Sequence, residues 1–343
     1  MRFRSASLLI VLALVAAACG SNAAAAPDEI VLVTHDSFAI SEDVRDAMET
    51  AVGLPVRIVQ AGDAGAMVNQ AILTKDNPLG DVLYGIDNTF LTRALEEDLF
   101  REYRSPLLDS VPSELDLDHH VTPIDVGDVC LNYDREVLGD IQPSLRDLTG
   151  SEFAGQLVVQ NPATSSPGLS FLLATVAEFG ETGDYTWIDF WADLRANDVK
   201  VDSGWEQAYY GSFSGGAGEG DRPLVVSYAS SPPAEVIFGD PTAPAPTGVI
   251  EAGCFRQIEF AGILAGSNGG EYAEALVDFM LDLQFQEDIP LTMFVFPANE
   301  DAALPPEFVE HTVVPANPAR MDPDEIEANR DRWITEWTEV VTR

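Results

Sequence analysis

Three short stretches carry side chains able to grip a small molecule. The first is Asn161 to Phe171, N-P-A-T-S-S-P-G-L-S-F. A β-type run, Leu157 to Gln160, leads into it and an apolar helical pattern leaves it. Pro167 suits the first helical turn because its missing N–H would have had no intrahelical partner. Ser166 is then the candidate N-cap. The backbone N–H groups of Gly168 and Leu169, beside the hydroxyls of Ser165 and Ser166, form a pocket for an anionic or hydroxyl-bearing group. An ordinarily capped helix is the plainer reading of the same residues, and both stay open here.

The second stretch, Ser203 to Tyr209, places Trp205 in the first turn of a helix, where an indole can stack on a flat cationic ring or simply fill a core. The third, Ser227 to Pro232, offers the ring of Tyr228 beside Ala229, Ser230 and Ser231. Carboxylates at Asp36, Asp63 and Asp87 each follow an apolar run. Together these groups suit a ligand with a flat cation at one end and a hydroxyl or phosphate at the other.

Alternating strand and helix patterns position them. Runs at 30–34, 56–59 and 81–86 read as strands separated by helices from Ser41 and from Ala66, with a third helix at 88–97. A second alternating region covers strands at 157–160, 198–201 and 223–228 with helices at 168–179, 185–196 and 204–213. This order predicts mostly parallel sheets with helices on both faces and ligands at the carboxyl ends of the strands. Two longer extended runs, 121–133 and 254–264, cross between the regions, one out and one back. Helices at 270–283 and 323–341 close the chain. The expected architecture is an α/β, two-lobed clamshell with two hinge-crossing strands: 29–124 with 260–343 as one lobe, 125–259 as the other.

Composition narrows the ligand. The chain has 343 residues, with 18 Lys and Arg against 57 Asp and Glu, a net charge of −39. Such a surface repels nucleic acid and anionic headgroups and favours a cation. Enzyme motifs such as G-x-S-x-G, H-E-x-x-H and the P-loop are missing, so no catalytic residue is assigned. His119 and His120 read as part of a solvated acidic loop, not a metal site. The glycines at 216, 218 and 220 lead into a strand, which favours a surface loop over a dinucleotide motif.

The amino terminus reads as export machinery. A basic start, an apolar segment from Leu8 to Ala17 too short to span a bilayer, and small residues before Cys19 form a signal peptide over 1–18. Cys19 is the expected lipidated residue, with 19–28 as its tether. In an oxidising compartment Cys130 and Cys254 are expected to pair, near the starts of the two crossing strands.

The ordered set T-H-D-S-F (34–38), G-I-D-N (85–88), N-P-A-T-S-S-P-G-L, S-G-W-E-Q-A-Y, S-Y-A-S-S-P, F-P-A-N (296–299) and R-D-R-W-I-T-E-W (330–337) resembles the thiamine-binding proteins of bacterial ABC importers over nearly the whole mature chain. The resemblance implies the type II-like periplasmic-binding-protein fold, a monomer without cofactor, and delivery of thiamine or its mono- or diphosphate to an ABC permease driven by an ATPase. It places Asp63 and Ala64 on the ligand from the first lobe and Ser165 and Ser166 on its hydroxyl or phosphate end. Trp205 would stack on the heterocycle, and Tyr228, Ala229, Ser230 and Ser231 would complete the wall. His35 stands where that family commonly carries a stacking Tyr, with Asp36 beside it. Alternatives are a receptor for a polyamine or ferric ion, and a thiamine-degrading enzyme of the same fold using a cysteine nucleophile.

Overall fold

The computed structural model describes residues 27–239 and 243–342; the signal peptide and Cys19 lie outside the described residues. The first part of the chain runs β1 (Ile30–Thr34), α1 (Glu42–Val52), β2 (Val56–Gln60), α2 (Ala64–Leu73), β3 (Val82–Asp87), α3 (Leu91–Glu96), β4 (Thr122–Asp134) and α4 (Arg135–Leu138). The second runs β5 (Leu157–Gln160), α5 (Ser166–Phe179), α6 (Trp187–Ala196), β6 (Lys200–Asp202), β7 (Leu224–Tyr228), α7 (Pro232–Ile237) and β8 (Thr247–Ile263). The last holds α8 (Gly270–Leu281), α9 (Leu283–Gln286), α10 (Ile289–Thr292), β9 (Phe296–Pro297), α11 (Pro306–His311) and α12 (Pro323–Val341).

Local sequence explains most boundaries. Every residue of β1 is buried, as an uninterrupted apolar run in a covered parallel sheet requires. Ser41 caps α1 by accepting the Val44 N–H at 3.3 Å, Glu42 and Asp43 complement its dipole, and Gly53 ends it with φ 79°. Pro232 opens the short helix α7, where the lost N–H costs nothing.

All the strands join one sheet, in the order β2-β1-β3-β8-β4-β7-β5-β6, with β9 on β4. Pairing is parallel toward each end, where β1 lies between β2 and β3 and β5 between β6 and β7. In the middle β4 and β8 run antiparallel, from Thr122 opposite Ala261 to Asp134 opposite Thr247. The two expected crossings are therefore one continuous ladder shared by both halves, which is the two-lobed clamshell. The second crossing is longer than its sequence pattern: β8 starts at Thr247, and a bulge at 251–254, with Gly253 at φ 77°, interrupts the apolar run that would have revealed it.

Cys130 and Cys254 are joined as expected, closing 124 residues, but not at the strand starts. Cys130 lies in the second half of β4, opposite Ser227, and Cys254 ends the bulge inside β8. The bridge thus ties the two crossing strands together beside β7. The carboxyl-terminal helix also spans the halves. Trp337 of α12 meets Trp191 of α6 edge-on at 5.5 Å, and Arg332 pairs with Glu181 at 2.7 Å. On its other side Glu327 accepts from Thr92 of α3 at 3.1 Å.

Candidate functional site

A cavity of about 400 Å3 opens where the strand ends of the two halves face each other. One wall is built by His35 and Asp36 after β1, Asp63 and Ala64 where α2 begins, and Tyr84 of β3. Opposite stand Ser166 and Pro167 of α5, then Trp205, Glu206, Tyr209 and Tyr210, then Tyr228 and Ser231 after β7. Glu259 of β8 lines it from the crossing ladder, and Phe238 and Phe294 meet edge-on at 5.7 Å beside it.

Asp63 links the walls. It holds the N-cap position of α2 without capping it. Its carboxylate instead accepts the Ser166 N–H at 3.1 Å and the Trp205 N–H at 2.9 Å, both from the opposite half. The Ala66 N–H reaches the Thr164 carbonyl at 3.0 Å across the same gap. A Cβ on Gly65 would stand 2.8 Å from the Thr164 carbonyl carbon, so glycine permits this approach. The walls are in contact, the closed arrangement of a hinged receptor.

The expected anion pocket on α5 is closed by the helix's own cap. The N-cap is Ser165, with extended φ −124° and ψ 132°, not Ser166, which is already helical. Ser165 Oγ accepts the Gly168 N–H at 3.5 Å and its carbonyl accepts the Leu169 N–H at 3.0 Å. Pro167 has no N–H, and the Ser166 N–H goes to Asp63. Each expected free donor is therefore taken. Ser165 is fully buried behind the wall, whereas Ser166 lines the cavity, its Oγ buried and without a partner.

The aromatic face is larger than one indole. Trp205 stacks on Tyr209 at 4.9 Å and 20° and meets Tyr210 edge-on at 5.5 Å, while its Nε1–H donates to Ser227 Oγ at 2.9 Å. Residues 207–212 form a π-helical turn where a regular helix was expected, and this turn brings Tyr209 and Tyr210 to the cavity together. The glycine-rich loop buttresses it: a Cβ on Gly220 would fall 2.0 Å from the Ser212 carbonyl group. That packing gives the loop a structural duty.

Two expected wall residues point elsewhere. After β7 the chain turns, with the Ser231 N–H on the Tyr228 carbonyl at 3.1 Å, so 228 and 231 face the cavity and the two residues between them enter the interior. Ala229 packs on Cys130, Val249 and Cys254, and Ser230 is 1% exposed.

These features fit a receptor that closes on a small solute. The profile of the bacterial extracellular solute-binding proteins matches residues 77–329. The chain belongs to that family. Among relatives of this solute-binding protein, the thiamine-binding periplasmic protein of Salmonella typhimurium is 31% identical, covering 95% of this chain and 97% of that one. The protein of the same name from Escherichia coli is 30% identical, with 92% and 94% covered. A solved periplasmic thiamin binding protein superposes with a TM-score of 0.82 at 28% identity, covering 92% of this chain and 96% of its own. Iron-bound HitA from Pseudomonas aeruginosa shares the fold, with a TM-score of 0.72 at 18% identity, covering 92% and 99%.

Beneath the cavity of this solute-binding protein lies a row of acids, of which the sequence singled out only Asp87. Glu259 stands in register with Asp87 on β3 and with Asp125 on β4. Burial pushes the Asp87 carboxyl up to about 7 against the hydrogen bonds from Thr89. Burial, then the neighbouring Glu259, holds Asp125 well above the carboxylate range, and Tyr84 donates its hydroxyl to it. Burial alone would lower the His35 imidazole; Glu259 at 3.6 Å, Asp125 and Asp63 outweigh it and raise the ring above its ordinary value. Burial also raises Asp63, opposed by the N–H groups of Trp205 and Ser166 and the Ser165 hydroxyl. Sequence reading also passed over Tyr84, Glu206, Phe238 and Phe294. Only the adjacency of Tyr209 and Tyr210 was a visible signal; Glu259 is found through its register.

Proposed function

We propose that the protein is an extracytoplasmic receptor that captures thiamine, or one of its phosphates, in this cleft and delivers it to an ABC permease coupled to an ATPase. The carrying observation is the cavity itself, where a triple aromatic face at Trp205, Tyr209 and Tyr210 meets carboxylates at Asp36, Asp63, Glu206 and Glu259. Aromatic faces and anionic groups together favour a flat organic cation. The names of the relatives at 30 and 31% identity supply the ligand class.

In this reading Trp205 stacks on the heterocycle, Ala64 and Ser231 shape the slot, and Ser166 Oγ takes a ligand hydroxyl. Asp63 has a second duty, as the latch between lobes 29–124 with 260–343 and 125–259. Closure is favoured because only the closed form makes both sets of contacts. Residues 1–18 act as signal peptide, and Cys19 carries a lipid that holds a monomer at the outer face of the cytoplasmic membrane.

The ferric reading has only fold relatives behind it, such as iron-bound HitA at 18% identity. A thiamine-degrading activity would need a thiol, and Cys130 and Cys254 are tied to each other. Calorimetry on the purified protein tests the proposal. Saturable thiamine binding with one site per chain is expected, and no binding of thiamine or either phosphate overturns it.

A further inference from the structure

The aromatic face of the cleft is held by a carboxylate that does not itself line the cavity. Tyr209, stacked on Trp205, is buried, and its hydroxyl donates to Glu235 Oε1 at 2.7 Å. Glu235 belongs to α7, 26 positions further along the chain, and its side chain is buried. It also accepts the Ala217 N–H of the glycine-rich loop. Burial raises its carboxyl, and the two donors oppose the rise. Burial, then Glu235, raises the Tyr209 phenol well above its usual value, so the hydroxyl keeps the proton it donates.

The loop makes room for this carboxylate. Gly216 has φ 57°, and a Cβ there would stand 2.2 Å from the Glu235 carboxyl carbon. Only glycine combines that backbone with that approach. Gly218 packs on the Phe213 carbonyl, where a Cβ would fall 2.2 Å from the oxygen. The loop thus closes over one acid–phenol pair.

Terminal aromatic torsions are soft, so a phenol ring in a π-helical turn can pivot unless something fixes it. A hydrogen bond from its tip to a carboxylate is among the stronger ones and does so. Trp205 lies flat on that ring at 4.9 Å and 20°, so the indole plane follows the phenol plane. The other anchor of the indole is the bond from Nε1 to Ser227 Oγ at 2.9 Å. We infer that Glu235 is a positioning residue for the stacking face, acting through Tyr209 on Trp205. The inference rests on the receptor reading and deepens it with a residue outside the cleft lining. A stacking group holds its ligand well only when its own rotamer is locked by the groups packed against it.

Glu235→Ala, Tyr209→Phe and the double variant test the coupling, with Tm showing each one folded. In the ligand-free protein both single variants should change the near-UV circular dichroism of the tryptophan band in the same sense. By calorimetry each should weaken thiamine binding at least fivefold. The double variant should lose no more than a further twofold, because both changes remove one interaction. Glu235→Gln, whose amide still bonds the phenol, should stay within threefold of the parent. If Glu235→Ala does not fold, Tyr209→Phe, which removes one hydroxyl, and Glu235→Gln decide alone. Parent-like dichroism or affinity in Tyr209→Phe, or losses that multiply in the double variant, overturn the positioning role and leave the receptor reading standing. No thiamine binding by the parent overturns the receptor reading, and the dichroism then decides the coupling by itself.

Discussion

The carboxylate of Asp63 and the backbone of Trp205, 142 positions apart in the chain, are joined by a 2.9 Å hydrogen bond across the cleft. The same carboxylate holds the Ser166 amide at 3.1 Å. One side chain therefore couples the first turn of α2 to two second-half elements. Asp63→Ala strands both amides and removes the latch. Ligand affinity is expected to fall at least tenfold, and small-angle scattering should give a larger radius of gyration for the free protein. An unaltered radius with unaltered affinity would remove Asp63 from closure.

Trp205 is the centre of the aromatic face, backed by Tyr209 and braced by Ser227. Trp205→Ala should weaken thiamine binding by about 1 kcal/mol or more, within the range for a cation on an aromatic face. Trp205→Phe should recover part of that loss, because a smaller ring still stacks. Competition binding against the parent protein measures both.

The disulfide ties β4 to the bulge of β8 and closes 124 residues. Replacing Cys130 and Cys254 together by serine should lower stability by about 2–4 kcal/mol, the usual range for such a bridge. Urea unfolding reads this, and a reductant should shift the midpoint of the parent protein but not of the double variant.

Asp87 gives the stability a pH dependence of definite sign. Its carboxyl is raised to about 7 in the fold from an unfolded value near 3.8. The folded state thus holds the extra proton between these values, so this contribution is complete below about pH 4 and is lost as pH rises through 7. At 1.36 kcal/mol per pKa unit the ceiling is about 4 kcal/mol. Asp87→Asn keeps an acceptor for the Thr89 and Phe90 amides and removes the titration. The variant should gain Tm relative to the parent at pH 8, with the gain vanishing near pH 4.

Much of the framework was legible in the chain because it rests on local physics. The apolar run 30–34, the Ser41 cap, the run 157–160 and the helix 323–341 lie where periodicity and capping place them. The aromatic and hydroxyl stretches around Trp205 and Tyr228 were visible as residue types, and Cys130 and Cys254 as a pair whose only requirement was an oxidising compartment. What tertiary structure decided is where a donor's partner comes from. The amides that the sequence offers at Gly168 and Leu169 are taken locally by Ser165, while the fold brings Asp63 from another element onto the Ser166 amide. Likewise nothing local sets Asp87, Glu259 and Asp125 side by side, because strand register is fixed by pairing over long separations and by the bulge at 251–254. Residue types marked stretches that reach the cleft, at Asp63, Ser166, Trp205 and Tyr228. Which of them face one another is decided only where the two halves meet.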